Sequence, residues 1–594
     1  MRALLVAVNA KYIHSNLGIY SLYAYSIQKG ISPEELTYCE FTINQNLEEI
    51  IGSIYEEKPD FIGFSCYIWN IEIIKRVSRE IRKILPQCMI WFGGPEVSYD
   101  GKAVLTSARW IDGILLGEGE VSFYEVLCCY REKGYDGDYE RIAGLIVRRG
   151  KEIIVTPIRE RAVLDEVVFP YQNLEGLENR IIYYESSRGC PYGCTYCLSS
   201  VEKEVSFRSM DLVKQELQFF LDKEVPQVKF VDRTFNCNHQ HTIDIWRYIF
   251  EHDNGVTNFH FELSADLLTE EEILLAQKFR PGLAQFEIGV QTTNQKTIDA
   301  INRKMDIEVL RSKVMQIREK RNIHQHLDLI VGLPYEDMHS FQKSFCDVYE
   351  MKPDQLQVGF LKVLKGSPLQ RKAEDYGIVY QSVPPYEVLY TRWISYDEVR
   401  EIKLVEEMVE RYYNSMQFEA AVGYLVRQFP DAFSFYYALG KYFKRHGYFG
   451  QQQSRLQNYE ILYDFSAAQG FDLGLMKELM VFDLYVRENL KKEPDFLQNR
   501  EISSERKECL YRFYQKEDII KKYLPDYGKY TWKQCMRMTH IEWFHYDIPA
   551  LLAKGVLKER EMVLLFNYAN RNPLSHQAEY IIVSDEIQCM GKLR

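Results

Sequence analysis

The segment SSRGCPYGCTYCLSS, residues 186–200, places three cysteines within eight positions. Cys190, Cys194 and Cys197 follow the spacing C-x3-C-x2-C. The glycines and the proline around them favour a loop over a strand. Thiolates are typical ligands of iron–sulfur clusters and of zinc. The segment therefore predicts a metal-binding loop.

The metal of this loop has two main interpretations. A structural zinc ion takes four protein ligands, so a zinc site here needs Cys237 or His239 in addition to the three local thiols. A [4Fe-4S] cluster held by three cysteines leaves one iron open to an exogenous ligand. Buried core cysteines are a third interpretation, which the loop composition disfavours.

The sequence around the loop reads as a repeated strand–helix pattern. Between residues 181 and 360 there are six strand-like runs: IIYYES, QVKFVD, NFHFELS, AQFEIGV, HLDLIVGL and DQLQVGF. Six βα units predict a partial (β/α)6 barrel. The cysteine loop follows the first run, and polar segments follow or end later ones. We therefore expect these segments to meet at one mouth of the barrel.

The first 140 residues also alternate short apolar runs with helical patterns, which predicts a parallel sheet. Glycines lie just past two of its strands, in FGGPE (92–96) and LLGEGE (115–120). Ligands of open α/β sheets bind at the carboxyl ends of strands, where glycine lets a ligand approach the backbone. Two such turns favour a ligand site over plain βα turns.

The remaining segments carry no chemical motif. AGLIVRRGKEIIVTP predicts a hairpin with Gly150 at its turn. Helical patterns dominate after residue 372, followed by a late strand, AEYIIVSD. We expect an α/β chain in four parts: a first domain, a hairpin and linker, the barrel, and a mainly helical C-terminal domain. These parts span residues 1–140, 141–180, 181–371 and 372–594.

Composition excludes some function classes. The 594 residues carry a net charge of -12, which argues against bulk binding to nucleic acid or to anionic membranes. No apolar run is long enough to span a bilayer, and the N-terminus lacks a signal-peptide pattern. We expect a cytoplasmic protein, in which the 13 cysteines are reduced and serve as core residues, ligands or catalysts.

CPYGCTYC resembles the C-x3-C-aromatic-x-C signature of radical S-adenosylmethionine (SAM) enzymes, and it follows the first barrel strand as theirs does. The resemblance implies a [4Fe-4S] cluster on the three cysteines, with SAM chelating the open iron. VDRTF stands where the family usually has Gly-Gly-Glu. The implied SAM-contacting positions are Tyr196, Asp232, Thr234, Glu262, Ser264, Gln291, Ile330 and Gly332.

The N-terminal segments GFSCYIW, FGGPE and LLGEGE are similar to the Rossmann-like cobalamin-binding domain that precedes the barrel in one large class of radical SAM enzymes. The C-terminal third resembles a domain of unassigned function found in some of these proteins. The resemblance thus spans nearly the whole chain. The implied cobalamin-side positions are His14, Ser65, Tyr67, Trp69, Gly93, Gly94, Pro95, Glu96, Gly117, Glu118 and Gly119.

One departure concerns the axial ligand of cobalt. Many cobalamin proteins use Asp-x-His-x-x-Gly to place a histidine under the metal. His14 is the only histidine before residue 180, and Tyr12 and Leu17 occupy the Asp and Gly positions. We expect no histidine ligand, with Tyr67 or Trp69 filling the lower face instead. His14 is then a hydrogen-bonded residue near the corrin, and its role as a ligand is the alternative.

The resemblance implies a cobalamin-dependent methyltransferase that acts on an unreactive carbon of an unknown substrate. Reductive cleavage of SAM would yield a 5′-deoxyadenosyl radical, and methylcobalamin would supply the methyl group. A reductant such as flavodoxin or ferredoxin is implied; membrane and nucleic-acid partners are not. The alternatives are a ring rearrangement or cyclisation without methyl transfer, and a non-catalytic Fe-S or zinc binding protein.

A methylthiotransferase is disfavoured among radical SAM enzymes. Those enzymes carry extra cluster cysteines in an N-terminal domain. Here Cys39, Cys66 and Cys88 are scattered along separate strand or loop positions and form no tight motif.

Overall fold

The computed structural model describes residues 1–201, 203–490, 494–497 and 504–591. The chain divides into two compact units. Unit 1 comprises residues 1–341 and 359–396, and unit 2 comprises residues 342–358 and 397–594. Within the described residues, no helix combines the length and the apolar character that a membrane crossing requires.

Unit 1 begins with a seven-stranded sheet of order β2-β1-β3-β4-β5-β6-β7. The first five strands are parallel. The strands are Ala3–Asn9 (β1), Leu36–Thr42 (β2), Phe61–Ser65 (β3), Met89–Gly93 (β4), Gly113–Leu115 (β5), Leu145–Arg149 (β6) and Glu152–Val155 (β7). The helices are Leu17–Gln28 (α1), Leu47–Glu56 (α2), Ile71–Ile84 (α3), Pro95–Ser98 (α4), Gly101–Ser107 (α5) and Glu120–Lys133 (α6).

The sheet forms because its central strands β1, β3, β4 and β5 are apolar on both faces, as parallel strands covered by helices require. Every residue of β1 is buried. The helix α3 buries Ile71, Ile74, Val77 and Ile81, at helical spacing, in the same apolar core. Full burial of each such side chain contributes about 1.5–3 kcal/mol relative to exposure.

The hairpin predicted around Gly150 is confirmed. Gly150 has φ +59°, and β6 pairs antiparallel with both β5 and β7. The hairpin therefore continues the first sheet past its parallel part and covers the edge of β5.

The second sheet is the predicted six-stranded half-barrel, in the order β15-β14-β13-β12-β11-β8. Its strands β8 and β11 to β14 belong to unit 1, whereas most of β15 belongs to the segment 342–358 of unit 2. Strands β8 and β11 to β14 pair in parallel. The strands are Ile182–Tyr184 (β8), Gln227–Phe230 (β11), Asn258–Leu263 (β12), Ala284–Gln291 (β13), His324–Val331 (β14) and Gln355–Phe360 (β15). The helices are Met210–Asp222 (α7), His239–Glu251 (α8), Glu270–Ala276 (α9), Gln295–Ala300 (α10), Ile307–Arg318 (α11) and Met338–Glu350 (α12).

A short antiparallel pair that the sequence did not predict encloses the cysteine segment. Ser187–Arg188 (β9) pairs with Ser206–Phe207 (β10). The segment between these two strands, which contains the three cysteines, therefore begins and ends at this antiparallel pair. Unit 1 ends with the helix Pro368–Lys372 (α13) and the antiparallel strands Val379–Tyr380 (β16) and Val388–Tyr390 (β17).

The C-terminal region is mainly helical, as predicted, but it also holds a three-stranded antiparallel sheet, β18-β19-β20. Of these strands the sequence predicted only the last. The strands are Thr539–Tyr546 (β18), Glu559–Arg571 (β19) and Ala578–Ile582 (β20). The helices are Tyr396–Val409 (α14), Glu419–Val426 (α15), Ala432–Arg445 (α16), Arg455–Gln469 (α17), Leu473–Arg487 (α18), Ser504–Gln515 (α19), Glu517–Tyr523 (α20), Trp532–Met538 (α21), Ile548–Lys554 (α22) and Ser584–Gly591 (α23).

Candidate active site

The cysteine loop starts at a position that only glycine fits. Gly189 has φ +108°, and a Cβ there would lie 2.1 Å from the carbonyl oxygen of Glu204. The loop then buries Cys190 and Cys194, each 8% exposed, while Cys197 is half-buried. The thiols are thus shielded from bulk water but remain within reach of the barrel mouth.

Backbone hydrogen bonds fix the loop from two sides. The amide of Thr195 donates to the carbonyl of Ile301 at 2.9 Å, and the amide of Leu369 donates to the carbonyl of Thr195 at 2.8 Å. Asn302 Nδ2 donates to the carbonyl of Gly193 at 2.8 Å. The loop conformation is therefore set by two other segments of unit 1.

Arg303 is a site residue that the sequence analysis missed. Its Nη1 lies 4.0 Å from Cys194 Sγ and donates to the Tyr196 hydroxyl at 3.2 Å. Its Nη2 donates to the carbonyl of Gly289. Burial raises the pKa of the Cys194 thiol, and the Arg303 guanidinium opposes that rise. Arg303 thus places a fixed positive charge beside the metal-binding loop.

The loop after β11 lies against the cysteines. Thr234 Oγ1 is 3.5 Å from Cys190 Sγ. Asp232 is 1% exposed and accepts hydrogen bonds from Ser186 N at 3.0 Å and from the Ser186 and Ser187 hydroxyls at 2.6 Å each. Burial raises the pKa of Asp232 to about 6. Both carboxylate oxygens of Asp232 are thereby engaged in anchoring the start of the cysteine segment.

The end of β12 is joined to the same loop. Asn236 Nδ2 donates to the Ser264 carbonyl at 2.8 Å, and the Ser264 amide donates to Asn236 Oδ1 at 3.0 Å. Glu262 lies deeper, with Oε1 3.9 Å from Lys229 Nζ. Burial raises the pKa of Glu262 to about 7, against the influence of nearby Arg233 and Lys229.

Gln291 ends β13 at an irregularity of the strand. Gly289 pairs with Asp328 but Gln291 pairs with Leu329, so β13 carries one extra residue there. Gln291 has φ +71°. Its Oε1 is buried and accepts no hydrogen bond from the described residues. A buried acceptor without a donor is uncommon in folded proteins and indicates that a ligand can supply one.

Tyr196 and Ile330 pack against one apolar cluster, which includes Leu333 and Leu361. Gly332, on the turn after β14, has φ +89°, and a Cβ there would lie 2.8 Å from Val388 Cγ1. The structure therefore brings the loop position before the third cysteine close to the end of the fifth barrel strand.

The carboxyl ends of β3 and β4 meet through a glycine contact. The Cys66 amide, next to Ser65, donates to the Gly93 carbonyl at 2.7 Å. Gly94 has φ +110°, and a Cβ there would lie 2.5 Å from the Cys66 carbonyl oxygen. The two strand ends can pack this closely only because Gly94 has no side chain.

Tyr67 and Trp69 form a parallel ring stack with centroids 4.4 Å apart. Trp69 Nε1 donates to the Val8 carbonyl at 3.2 Å, yet the side chain remains 43% exposed. The stack therefore offers an open aromatic surface at this edge of the sheet.

Glu96, which follows Pro95 at the start of α4, makes polar contacts with another part of unit 1. It accepts a hydrogen bond from the Tyr386 hydroxyl, and its Oε1 lies 3.2 Å from Lys365 Nζ. These contacts tie the turn after β4 to the segment that follows the barrel.

The GEGE turn after β5 contacts the cysteine segment directly. Arg188 Nη2 lies 2.9 Å from Glu120 Oε1, and Arg188 Nη1 lies 3.3 Å from Glu118 Oε2. A Cβ at Gly119 would lie 2.9 Å from Leu22 Cδ2, whereas a Cβ at Gly117 would meet no atom within 4 Å.

His14 is held by a hydrogen bond. Its Nδ1 lies 2.7 Å from the Tyr183 hydroxyl. Burial lowers the pKa of His14, and Lys11 and Lys229 lower it further. His14 is therefore a neutral, hydrogen-bonded side chain between the first sheet and β8.

The two alternative zinc ligands differ in position. Burial raises the pKa of the Cys237 thiol to about 11, and nearby Cys190 adds to this rise. His239 Nδ1 instead lies 3.2 Å from Glu272 Oε1. Cys237 is thus the alternative ligand that lies near the loop.

Three family models match the chain in succession. The B12 binding domain matches residues 3–127, the Radical SAM superfamily matches residues 184–347, and a protein family of unknown function, DUF4080, matches residues 374–566. The radical SAM match contains the cysteine loop, the four barrel strands β11 to β14 and the last residue of β8.

The chain is a radical SAM protein with a B12-binding domain.

Curated relatives of this radical SAM protein include enzymes of two kinds. The cobalamin-dependent radical SAM methyltransferase TokK of Streptomyces tokunonensis is 26% identical over 56% of this chain and 51% of its own length. An anaerobic magnesium-protoporphyrin IX monomethyl ester cyclase of Cereibacter sphaeroides is 21% identical over 52% of each chain. The chain spans about half the length of these relatives.

Solved structures show the same fold. The cobalamin-dependent S-adenosylmethionine radical enzyme OxsB, with aqua-cobalamin and S-adenosylmethionine bound, has a TM-score of 0.57 at 14% identity, covering 81% of this chain and 78% of its own. The methyltransferase TsrM from Kitasatospora setae, with cobalamin and a [4Fe-4S] cluster bound, has a TM-score of 0.53 at 16% identity, covering 65% of this chain and 82% of its own. The predicted fold class of this radical SAM protein is thereby confirmed.

The residues of this radical SAM protein fit the cofactors of its two domains. Three shielded thiols on one loop suit a [4Fe-4S] cluster. The orphaned Gln291 Oε1 suits a hydroxyl donor of SAM. The exposed face of Trp69 and the open space at Gly117 suit a large flat ligand such as cobalamin at the strand ends of the first sheet.

Proposed function

We propose that this protein is a cobalamin-dependent radical SAM enzyme that methylates an unactivated carbon of its substrate. One observation carries the proposal. Arg188, two residues before Cys190, forms ion pairs with Glu118 and Glu120 of the turn after β5. The end of β5 in the B12-binding domain therefore lies next to the start of the cysteine loop. Two cofactors that act on one substrate require such proximity.

When bound, the cluster with SAM supplies a 5′-deoxyadenosyl radical for hydrogen abstraction, and cobalamin supplies the methyl group. The chain's own residues bind and orient these groups. Cys190, Cys194 and Cys197 would hold the cluster, and Arg303 would stabilise negative charge at Cys194.

The proposed SAM contacts lie on the cysteine loop and at the strand ends of the barrel. Gln291 Oε1 would accept a hydrogen bond from a ribose hydroxyl, while Tyr196 and Ile330 would enclose the adenine. Thr234 lies beside Cys190, where SAM would chelate the open iron, and Ser264 borders the same loop. Asp232 would position SAM indirectly, through the start of the cysteine segment that it anchors. Glu262 would contact SAM from deeper in the barrel.

The cobalamin contacts follow the strand ends of the first sheet. Tyr67 and Trp69 would face the corrin, and the backbone at Ser65, Gly94 and Gly117 would lie close to it. Glu96 and Glu118 would position these turns through their own ion pairs. Because Tyr12 and Leu17 replace the Asp and Gly of the Asp-x-His-x-x-Gly pattern, we propose that His14, which is hydrogen-bonded to Tyr183, is no cobalt ligand.

The substrate and the partners are part of the same proposal. A low-potential reductant such as flavodoxin or ferredoxin would supply the electron, and the cytoplasm would provide the reducing environment. The net charge of -12 disfavours bulk nucleic acid as the substrate.

SAM cleavage tests the proposal without a known substrate. Anaerobically purified, cluster-reconstituted protein with cobalamin and dithionite should produce 5′-deoxyadenosine from SAM, and Cys194→Ala should abolish it. Cys39→Ala, which alters a thiol on β2, should leave cleavage unchanged. Cleavage that persists in Cys194→Ala, or its absence from the wild type, contradicts the proposal.

The second candidate is a cyclisation or ring rearrangement that uses the same cofactors, because a cyclase is also among the relatives. Methyl-labelled SAM separates the two reactions, since only methyl transfer carries the label into product. Metal analysis addresses the third possibility. Zinc in place of iron in oxygen-free protein would favour a non-catalytic zinc protein.

A further inference from the structure

The interior of the half-barrel is charged at positions where such barrels are ordinarily filled with apolar side chains. Strand register explains why these groups meet: Lys229 pairs with His260, and Glu287 pairs with both Glu262 and His326. We call these residues the interior cluster. Its members are Lys229, His260, Glu262, Glu287, His326 and Asp328.

Side chains of the interior cluster approach one another closely. His260 Nε2 lies 2.9 Å from Glu287 Oε2, and His326 Nε2 lies 3.0 Å from Asp328 Oδ1. One ligand atom from each of Glu287, His326 and Asp328 lies within 4.8 Å of the other two. Nitrogen and oxygen donors on neighbouring strands thus surround one small space.

The polar atoms of these contacts have no other partners. His260 and His326 are each only 7% exposed. Apart from the two ion-pair contacts, the buried atoms His260 Nε2, His326 Nε2 and Asp328 Oδ1 make no hydrogen bond with the described residues. Buried polar atoms almost always find a partner. An ion between the imidazole nitrogen and the carboxylate oxygens would satisfy several of them together.

The charges of the cluster also favour a cation. Glu287 and Asp328 contribute two negative charges. Lys229 contributes one positive charge, at 2.8 Å from Glu287, and Arg233 acts electrostatically on Glu262. With neutral imidazoles, as metal ligands must be, one negative charge remains uncompensated.

We infer that Glu287, His326 and Asp328 bind a divalent metal ion inside the barrel, and that His260 lies beside this ion. Mixed imidazole and carboxylate ligands suit first-row ions such as Mn²⁺ and Fe²⁺. Three protein ligands leave positions open for an oxygen of another molecule.

The position of the ion suggests its use. Asp328 precedes Ile330 by two residues, so the ion lies roughly 7 Å along β14 from the proposed adenine contact. An anionic or hydroxyl group of the substrate bound to it would be held near the radical site. This second step, unlike metal binding itself, rests on the proposed function.

Manganese binding tests the inference directly. Full-length, cluster-loaded protein is freed of adventitious metal with a chelator and titrated anaerobically with Mn²⁺. Free hexaaqua Mn²⁺ is followed by electron paramagnetic resonance (EPR). The wild type should bind about one Mn²⁺ per chain. His326→Gln/Asp328→Asn should weaken binding by at least about tenfold. Glu270→Gln, an exposed carboxylate on α9, should leave it unchanged.

Lys229→Met distinguishes a metal site from a salt-bridge network. Removing the ammonium group frees Glu287, so a metal site retains or tightens its Mn²⁺ binding. If the cluster is instead a salt-bridge network centred on Lys229, Lys229→Met loses thermal stability, and neither this variant nor the wild type binds Mn²⁺.

The inference is overturned if the wild type binds no Mn²⁺ stoichiometrically. It is also overturned if the double variant, with unchanged near-UV circular dichroism, binds Mn²⁺ like the wild type. Single variants at His326 and Asp328 decide the question if the double variant does not fold. SAM cleavage, measured on the same samples, reports separately on the proposed function.

Discussion

Arg188 and Glu120 form an ion pair of 2.9 Å between residues 68 positions apart in the chain. Glu120 starts the helix after β5, and Arg188 ends the strand that leads into the cysteine loop. Burial alone would raise the pKa of Glu120, but Arg188 opposes this and holds the pKa below its usual value. The pair therefore connects the B12-binding domain to the metal-binding loop.

Arg188→Met should strongly destabilise the protein, because it leaves the carboxylates of Glu118 and Glu120 without their partner. Loss of one member of a buried pair costs about 3–5 kcal/mol. Thermal unfolding of anaerobic protein measures the loss. Lys83→Met breaks an exposed pair with Glu80 and should change stability by less than about 1 kcal/mol. Equal effects of the two variants would refute the role given to Arg188.

Arg303→Gln should lower the reduction potential of the cluster. A positive charge beside the loop favours the more negative, reduced state, so its removal should shift the midpoint by roughly 60 mV, a tenfold change for a one-electron couple. Redox titration followed by EPR measures this. Arg303→Lys keeps the charge and should shift the midpoint less. A midpoint unchanged in Arg303→Gln would contradict the electrostatic role.

Gln291→Met should weaken SAM binding without loss of fold, because it removes the orphaned acceptor while nearly preserving side-chain shape. The loss of one hydrogen bond of about 1 kcal/mol predicts roughly fivefold weaker binding. Equilibrium dialysis with labelled SAM measures it. Gln295→Met, on the following helix, is the matched control. Unaltered affinity in Gln291→Met would remove Gln291 from the site.

Stability should fall between about pH 5 and pH 7 in a way that depends on Glu262. Burial raises the pKa of Glu262 to about 7 from 4.5. A carboxyl group with a raised folded-state pKa binds its proton more tightly when folded, so it favours folding at low pH and loses this contribution as pH rises. By pH 8 the free energy of unfolding of Glu262→Gln should therefore exceed that of the wild type by up to about 3 kcal/mol. Melting curves in chelator at each pH test this; parallel curves for both proteins would contradict it.

His14→Ala should leave the spectrum of bound cob(II)alamin unchanged. His14 Nδ1 is engaged with Tyr183, so we expect no histidine nitrogen on cobalt in the wild type. EPR detects such a nitrogen as superhyperfine splitting of the cobalt signal. Splitting in the wild type that disappears in His14→Ala would instead establish His14 as the ligand.

The features predicted from sequence are those with local signals. Glycine and proline around the three cysteines predicted that this segment forms a loop, and apolar runs located all six barrel strands. Gly150 marked the hairpin correctly because a positive φ is a local requirement. By contrast, β18 and β19 were missed, although Ile541 and Trp543 alternate inward in β18.

The residues missed at the site are those with distant partners. Arg303 contacts Cys194 across 109 positions, and nothing in INRKMD indicates that contact. The interior cluster did have a local signal. Polar residues alternate with apolar ones in NFHFEL and HQHLDLI, within strands expected to be buried on both faces. Tertiary packing alone shows that these polar positions share one space.

The extra residue in β13 has a consequence for changes in chain length. Because side chains alternate along a strand, deleting Val290 would restore regular pairing with β14 and turn every position after it to the opposite face. Gln291 would then leave the barrel interior. This strand end should therefore accept amino-acid replacements far more readily than in-frame loss of a single codon.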